Sequence, residues 1–272
     1  MSLTRSCRLV SISKTAYYHK SKKQTEDGDI VSCLKALATA HPRWGFDKMM
    51  AKIKLKNTGW NHKRVYRIYC EQGLNIRVKP RKRIPKGEAK ALAQPIHANV
   101  CWSMDFMSDA LAGGDRFRTF NVIDDYNREG LLIEPAYALP AKRVTTLLDQ
   151  VADIRGYPDR IRVDHGPEFE SGEFKRWANE RGVLIDYIQP GKPAQNGFIE
   201  RFNRSYREAV LDMNLFQNLR EVKILTRRWL TNYNHERPHE SLAGLPPVQF
   251  ANYREIKIKL TGKRENSTFK SF

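Results

Sequence analysis

The chain of 272 residues contains no apolar run near the ~18 residues that a membrane span requires. Its opening stretch, MSLTRSCRLVSISKTAYYHK, lacks the apolar middle of a secretory signal. These absences predict a soluble, intracellular protein. Cysteine is scarce: Cys7, Cys33, Cys70 and Cys101 are far apart, with no C-x-x-C pair, which excludes a disulfide framework and a thiolate zinc site. Acidic residues are scarce only in one region. Residues 1–100 hold 22 Lys and Arg against 6 Asp and Glu, whereas the remainder holds 26 against 24, so +16 of the formal +18 lies in the first hundred residues. An excess this lopsided points to an electrostatic contact module for a polyanion, and a solvated surface is the plainer reading.

What is present first is helical periodicity. Ile30, Leu34, Leu37 and Ala38 recur at three and four, Phe46, Met49, Met50 and Ile53 do the same, and Val65, Ile68 and Tyr69 make a third stripe. His41-Pro42 separates the first two segments, Asn61 suits the N-cap of the third, and Gly73 stops it. The third helix, Asn61 to Gln72, sets Lys63, Arg64 and Arg67 off its apolar stripe. That layout suits a helix-turn-helix whose last helix enters the major groove, or a helical bundle with a solvated basic face. The run Lys79 to Lys86, with Arg81, Lys82 and Arg83 at its centre, is broken by Pro80 and Pro85 and reads as an extended linker lying along phosphates, or as a hinge.

After Gln94 the period shortens to two. Trp102, Met104 and Phe106 alternate with Cys101, Ser103 and Asp105, and the segments FRTFNVID (117–124) and GLLIEPAY (130–137) follow, predicting three antiparallel strands. A helix over Ala141 to Ile154, a strand over Arg160 to Val163, a helix near Glu173 to Asn179 and a strand over Val183 to Ile188 complete an α/β pattern: a mixed sheet with helices on its faces. A helix over Gln195 to Met213 carries an apolar stripe (Phe198, Phe202, Tyr206, Val210) and a separate polar face (Asn196, Glu200, Asn203, Arg207). If the first and fourth strands are neighbours and this helix packs beside them, Asp105, Asp164 and Glu200 converge. Three close carboxylates repel one another and call for Mg²⁺ or Mn²⁺.

Around these carboxylates, WSMDFMSDAL (102–111), RVDHGPEF (162–169) and QPGKPAQNGFIERFNRSYRE (189–208) resemble the DDE catalytic core of insertion-sequence transposases and retroviral integrases. The 35 residues between Asp164 and Glu200 match that group's spacing. HPRWGF (41–46) and NHKRVYRIYCEQGL (61–74) resemble the helix-turn-helix segment of the IS-three family's second-frame product, OrfB, and YNHERPHESLAGLPPVQF (233–250) resembles its C-terminal signature. The likeness runs from about Cys7 to Phe250.

The resemblance implies a ribonuclease-H-like, five-stranded mixed sheet flanked by helices, preceded by a small all-α helix-turn-helix domain. It implies a basic segment over 1–28, the helix-turn-helix over 29–78, a linker over 79–97, the catalytic core over 98–215, and a C-terminal helix and basic tail over 216–272. By the same resemblance Asp105, Asp164 and Glu200 are the metal ligands for Mg²⁺, with Mn²⁺ as a substitute. The expected chemistry is in-line phosphoryl transfer that cleaves element ends and joins their 3′-hydroxyls to a target. Double-stranded DNA is the expected partner, in a homo-oligomeric synaptic complex, with the upstream-frame DNA-binding protein fused or bound. Because the sequence starts at Met1 without that partner, an isolated frame is one expectation. The expected location is the bacterial cytoplasm, at the nucleoid, with no membrane contact.

His165 stands where the family's motif commonly has Asn. Asp124 and Asp125 are rival carboxylates, better read as turn residues capping their own backbone. His235-Glu236-Arg237-Pro238-His239 has the H-E-x-x-H form, but Pro238 would break the helix that a zinc protease needs, so this segment is expected to be a loop leaving a helix over Val222 to Tyr233. Lys192, Gln195 and Asn196 read equally well as a helix lead-in or as a loop touching the scissile strand, and Arg207, aligned with Glu200, reads as a phosphate contact. The competing functional reading is a catalytically silent DNA-binding regulator that keeps only the basic third. A metalloprotease and a generic ribonuclease H are weaker alternatives.

Overall fold

In the computed structural model, the described residues are 2–18, 24–56, 58–76, 92, 94–189 and 193–261. The chain divides into two compact units, 1–50 with 57–77, and 51–56 with 78–272.

The first unit is helical. It contains α1 (Leu3–Leu9), α2 (Lys14–Tyr18), α3 (Gln24–Ala40), the start of α4 (Phe46–Leu55) and α5 (His62–Glu71). The first two are short and carry no apolar period. The others bury the stripes read in the sequence: Ile30 and Leu34, Met49 and Met50, and Val65, Ile68 and Tyr69. The Asn61 side chain accepts from the Lys63 backbone N–H at 2.9 Å, and Gly73 takes φ +63°, so both ends of α5 form as the sequence predicts.

The second unit is built on a five-stranded sheet. β1 (Cys101–Ala110), β2 (Arg116–Asp124) and β3 (Gly130–Ala136) are antiparallel, and β4 (Arg160–Val163) and β5 (Leu184–Tyr187) continue the sheet in parallel, giving the order β3-β2-β1-β4-β5. Trp102, Met104, Phe120 and Val122 point to one face, where α6 (Ala141–Arg155), α7 (Pro167–Glu170) and α8 (Gly172–Glu180) supply Val144, Leu148, Phe169 and Phe174. Met107, Phe117 and Ile123 point to the other face, under α9 (Gly197–Tyr206) and α10 (Leu219–His235), which supply Ile199, Phe202, Tyr206 and Tyr233. Both faces are therefore covered. The alternate positions Ser103, Thr119 and Asn121, polar by pattern, are buried and not solvated.

Three elements differ from the sequence reading. The single helix expected over Gln195 to Met213 is interrupted: α9 ends at Tyr206, and 207–211 form a π turn in which the Asp212 N–H reaches back five residues to the Arg207 carbonyl. The helix expected over Val222 to Tyr233 extends to Leu219–His235. A further helix, α11 (Pro247–Thr261), begins within the signature segment, and its Phe250 packs with Tyr126 and Leu242 in a small separate cluster.

The start of β3 is fixed from far along the chain. Asn234, in α10, donates to the Gly130 carbonyl at 2.8 Å and accepts the Gly130 N–H at 2.9 Å. This close approach requires glycine, since a methyl at Gly130 would stand 2.5 Å from Leu230 Cδ1 and 2.8 Å from the Phe202 ring. Asn234→Ala leaves two strand groups unpaired and should lower the unfolding free energy by about 2–4 kcal/mol. Gly130→Ala should cost about 1–3 kcal/mol through overpacking. Urea unfolding checks both, and unchanged midpoints would remove this clasp from the account of stability.

Candidate active site

Asp105 lies in β1 on the face opposite Trp102, Met104 and Phe106, as the alternation requires. The β1/β4 register pairs Cys101 with Arg160 and Ser103 with Arg162. The same offset carried two residues further sets Asp164, just past β4, level with Asp105. Across the antiparallel edge, Asp105 is registered with Asn121.

A single amide joins this face of the sheet to α9. Asn203 donates from Nδ2 to Asp105 Oδ2 at 2.8 Å, and its Oδ1 accepts from Asn121 Nδ2 at 2.7 Å. Glu200 is three residues earlier on the same side of α9 and is exposed. Asp105 Oδ1 accepts the Phe106 N–H at 2.8 Å, and Asp164 Oδ1 accepts the Gly166 N–H at 3.1 Å. A methyl at Gly166 would lie 3.0 Å from that Asp164 oxygen, so glycine keeps the turn clear.

Burial pushes the Asp105 carboxyl up to about 6, and the charges of Asp164 and Glu200 push in the same direction against the lowering by the Phe106 N–H and Asn203. The charges of Asp164 and Glu200 therefore both reach Asp105. The three carboxylates are not gathered into a ligating cluster: among the described residues, no three His, Cys, Asp or Glu side chains stand close enough together to hold one ion. Their chemistry nonetheless fits a hard divalent cation. All donors are carboxylate oxygens, and each hydrogen-bonded Asp105 oxygen retains a second lone pair.

The other candidates fall in varied places. Arg207 donates to the Ser108 carbonyl at 3.0 Å and lies 3.5 Å from Asp109, so it braces β1. Gln195 closes its own loop by accepting the Gln189 N–H at 2.8 Å, and Asn196 is buried. Arg64 is bonded to Asp27 at 2.7 Å, and Arg67 to Asp27 at 3.1 Å and Glu71 at 2.6 Å, while Lys63 is exposed. Lys192 and the linker residues Arg81, Lys82 and Arg83 lie outside the described residues. His165 stacks on Tyr187 with ring centroids 5.0 Å apart and bonds Glu170 at 2.8 Å, which gives it a structural place. Asp124 caps its turn as expected, accepting from the Asn99 and Tyr126 N–H groups at 2.9 and 2.8 Å. Asp125, in the turn, instead pairs with Arg162 of β4 at 2.9 Å, a contact from turn to strand that the capping reading does not include. His235 ends α10, and 236–239 are not helical, so no zinc-protease helix exists there. Asn121 and Asn203 were not picked out as site residues. The available signal was Asn121, an amide between Phe120 and Val122 in a strand of apolar period.

Comparison with known proteins bears on the family and the fold. Residues 95–193 and 181–247 each match a family described as integrase core domain, and residues 26–83 match an HTH-like domain. A protein of insertion element IS407 from Burkholderia multivorans is 36% identical over 247 residues, covering 91% of this chain and 89% of the relative. A protein of insertion element IS476 from Xanthomonas euvesicatoria is 36% identical over 255 residues, covering 93% and 74%. The simian T-cell lymphotropic virus intasome structure, at 16% identity, superposes with a TM-score of 0.51 over 80% of this chain and 74% of that one, and shares the fold. Sheet, flanking helices and helical N-terminal segment define a ribonuclease-H-like integrase core joined to an HTH-like domain. The chain belongs to the IS-three family of insertion-sequence transposases, on the OrfB side of that family. None of its described helices is long and apolar enough to cross a membrane.

The Asp105 environment has a pH signature. An unfolded aspartate titrates near ~3.9. The folded value is higher, so the charge costs the fold nothing below about pH 4, an increasing amount up to about pH 6, and a constant amount above that. Asp105→Asn should therefore raise unfolding free energy at pH 8, without divalent cations, by roughly 1–3 kcal/mol, and change it little at about pH 3.5. An equal gain at both pH values would refute the electrostatic origin.

Proposed function

We propose that this transposase cleaves DNA at its element's ends and joins the freed 3′-hydroxyls to a target by Mg²⁺-dependent in-line phosphoryl transfer, Mn²⁺ serving as a substitute. Asp105, Asp164 and Glu200 are the ligands in this reading. The observation that supports it is the Asn203 amide, which ties the helix carrying Glu200 to Asp105 while the β1/β4 register sets Asp164 level with it. When bound, a cation pair would supply Lewis-acid stabilisation of the attacking and leaving oxygens. The protein's own contribution is placement. Asn203 and the Phe106 N–H orient Asp105, the Gly166 N–H orients Asp164, and Arg207 steadies the β1 backbone beyond Asp105. Because one set of carboxylates can serve both cleavage and joining, no covalent link between protein and DNA is needed.

The division of labour proposed with it assigns end recognition to 29–78, with Lys63, Arg64 and Arg67 toward phosphates or groove. The linker 79–97 follows the backbone through Arg81, Lys82 and Arg83. The core over 98–215 meets the scissile strand with Lys192, Gln195, Asn196 and Arg207 nearby, and 1–28 and 216–272 flank these parts. The proposed partners are duplex element ends and target, further copies of the chain in a synaptic complex, and the upstream-frame protein, in the bacterial cytoplasm at the nucleoid.

Asp105→Ala, Asp164→Ala and Glu200→Ala should each reduce Mg²⁺-dependent cleavage and joining of labelled element ends to background, with duplex binding by gel shift retained. Normal cleavage by all three variants would overturn the assignment. A parent chain that binds the ends and never cuts them would favour the silent regulator.

A further inference from the structure

The side of α9 that carries Glu200 and Asn203 faces Asp105; a second strip of the same helix has no such counterpart. Phe198, Arg201 and Ser205 recur at three and four and share one side of α9. At one end, Arg128, from the turn between β2 and β3, lies over the Phe198 ring with its guanidinium carbon 3.4 Å from the centroid. At the other, Arg237, just past α10, donates from Nη2 to Ser205 Oγ at 3.4 Å. Arg201 stands between them and is exposed. Three guanidinium groups therefore line a strip about 10 Å long at 1.5 Å per helical residue.

The cluster has a common centre. Burial raises the Tyr233 phenol, and the charges of Arg237, Arg128 and Arg201 all pull against that rise. The nearby carboxylates form their ion pairs elsewhere, Asp125 with Arg162, Glu129 with Arg155 and Glu208 with Arg204, while the charges of Asp125 and Asp124 support Arg128 and that of Glu208 supports Arg237. Arg128 donates instead to the Asp125 carbonyl and is 9% exposed; Arg237 is half-buried. Guanidinium groups withdrawn from water beside one another, with no salt bridge to a carboxylate among the described residues, gain from an anion that joins them. In keeping with this, burial lowers Arg128 to about 10 and lowers Arg237, and Arg201 adds to both effects.

We infer that Arg128, Arg201 and Arg237 form a phosphate site that grips the backbone of a DNA strand on the flank of α9 away from Asp105. Planar guanidinium forks match phosphate oxygens. The strip is open at Arg201, so a strand held there runs along the far flank of the helix that carries Glu200. The inference rests on the reading of the chain as a DNA-processing enzyme.

The test uses the full chain and a duplex of unrelated sequence, with affinity measured across salt concentrations. Arg201→Gln should reduce the slope of log K against log salt by about 0.9 and weaken binding roughly eightfold at 0.1 M salt. Arg201→Lys should restore most of both, and Arg176→Gln, an exposed change on α8, should leave both unaltered. Equal slopes for parent and Arg201→Gln would overturn the phosphate site while leaving the cleavage assay, and with it the proposed function, untouched. A parent chain that binds no DNA would overturn both. Inorganic phosphate raising the melting temperature of the parent but not of Arg201→Gln, with unchanged DNA slopes, would assign the cluster to a small soluble anion and overturn the DNA assignment. Because Arg201 is exposed, its variants should melt with the parent, and Arg201→Lys controls for any that do not.

Discussion

The arrangement of the core depends on one side-chain amide. Asn203 uses both ends: its oxygen accepts from Asn121 and its nitrogen donates to Asp105, so its orientation is fixed by partners on two strands. A carboxylate at this position would repel Asp105, and an aliphatic side chain would leave both Asp105 and Asn121 without their bonds. The amide sits in an otherwise apolar contact, where Ile199, Phe202 and Tyr206 of the same helix pack against Met107, Phe117 and Ile123 of the sheet. Hydrophobic burial sets the distance between helix and sheet, and the amide sets the rotation and register. Together they decide where Glu200 stands relative to Asp105.

Much of this was legible in the sequence, because strands with a period of two and helices with a period of 3.6 are local patterns. β4 coincides with the expected Arg160 to Val163, α5 lies within the expected Asn61 to Gln72, and Asp105 lies on the face its neighbours dictate. What escaped was non-local. Ser103, Thr119 and Asn121 are polar by pattern and yet buried, because they lie on the face that α9 and α10 cover. The π turn at 207–211 breaks a stretch whose apolar stripe continues through Val210, because a stripe of that kind does not record which carbonyl each N–H selects. The three candidate carboxylates stand out through their places on strand and helix and through motif likeness, whereas Asn121 and Asn203 look special only once three elements are in register. The basic residues of α5 show the same limit from the other side. Their positions were correct, but the acid that binds Arg64 and Arg67, Asp27, lies in a different helix.

The C-terminal signature gains a physical meaning here. Its asparagine, Asn234, grips the first peptide of β3, and Tyr233 is buried under α9. His239 begins a tight loop in which the Gly244 N–H returns to its carbonyl at 2.8 Å. Leu242 and Phe250 cover Tyr126 in the turn between β2 and β3. A stretch with the outward form of a metal-binding motif is therefore a strap across the sheet, and its only helical histidine is the last residue of α10.

That strap has a bearing on how the polypeptide emerges from the ribosome. The peptide at Gly130 and the amide that secures it are 104 residues apart in the chain. During synthesis the outer edge of the sheet is made long before its fastening exists, and contacts of such separation are slow to find by diffusion. A nascent or prematurely terminated product can carry all three candidate carboxylates and still lack the closure that keeps its edge strand from pairing with another chain. The outer edge of the sheet is thus secured only when the chain has been made as far as α10.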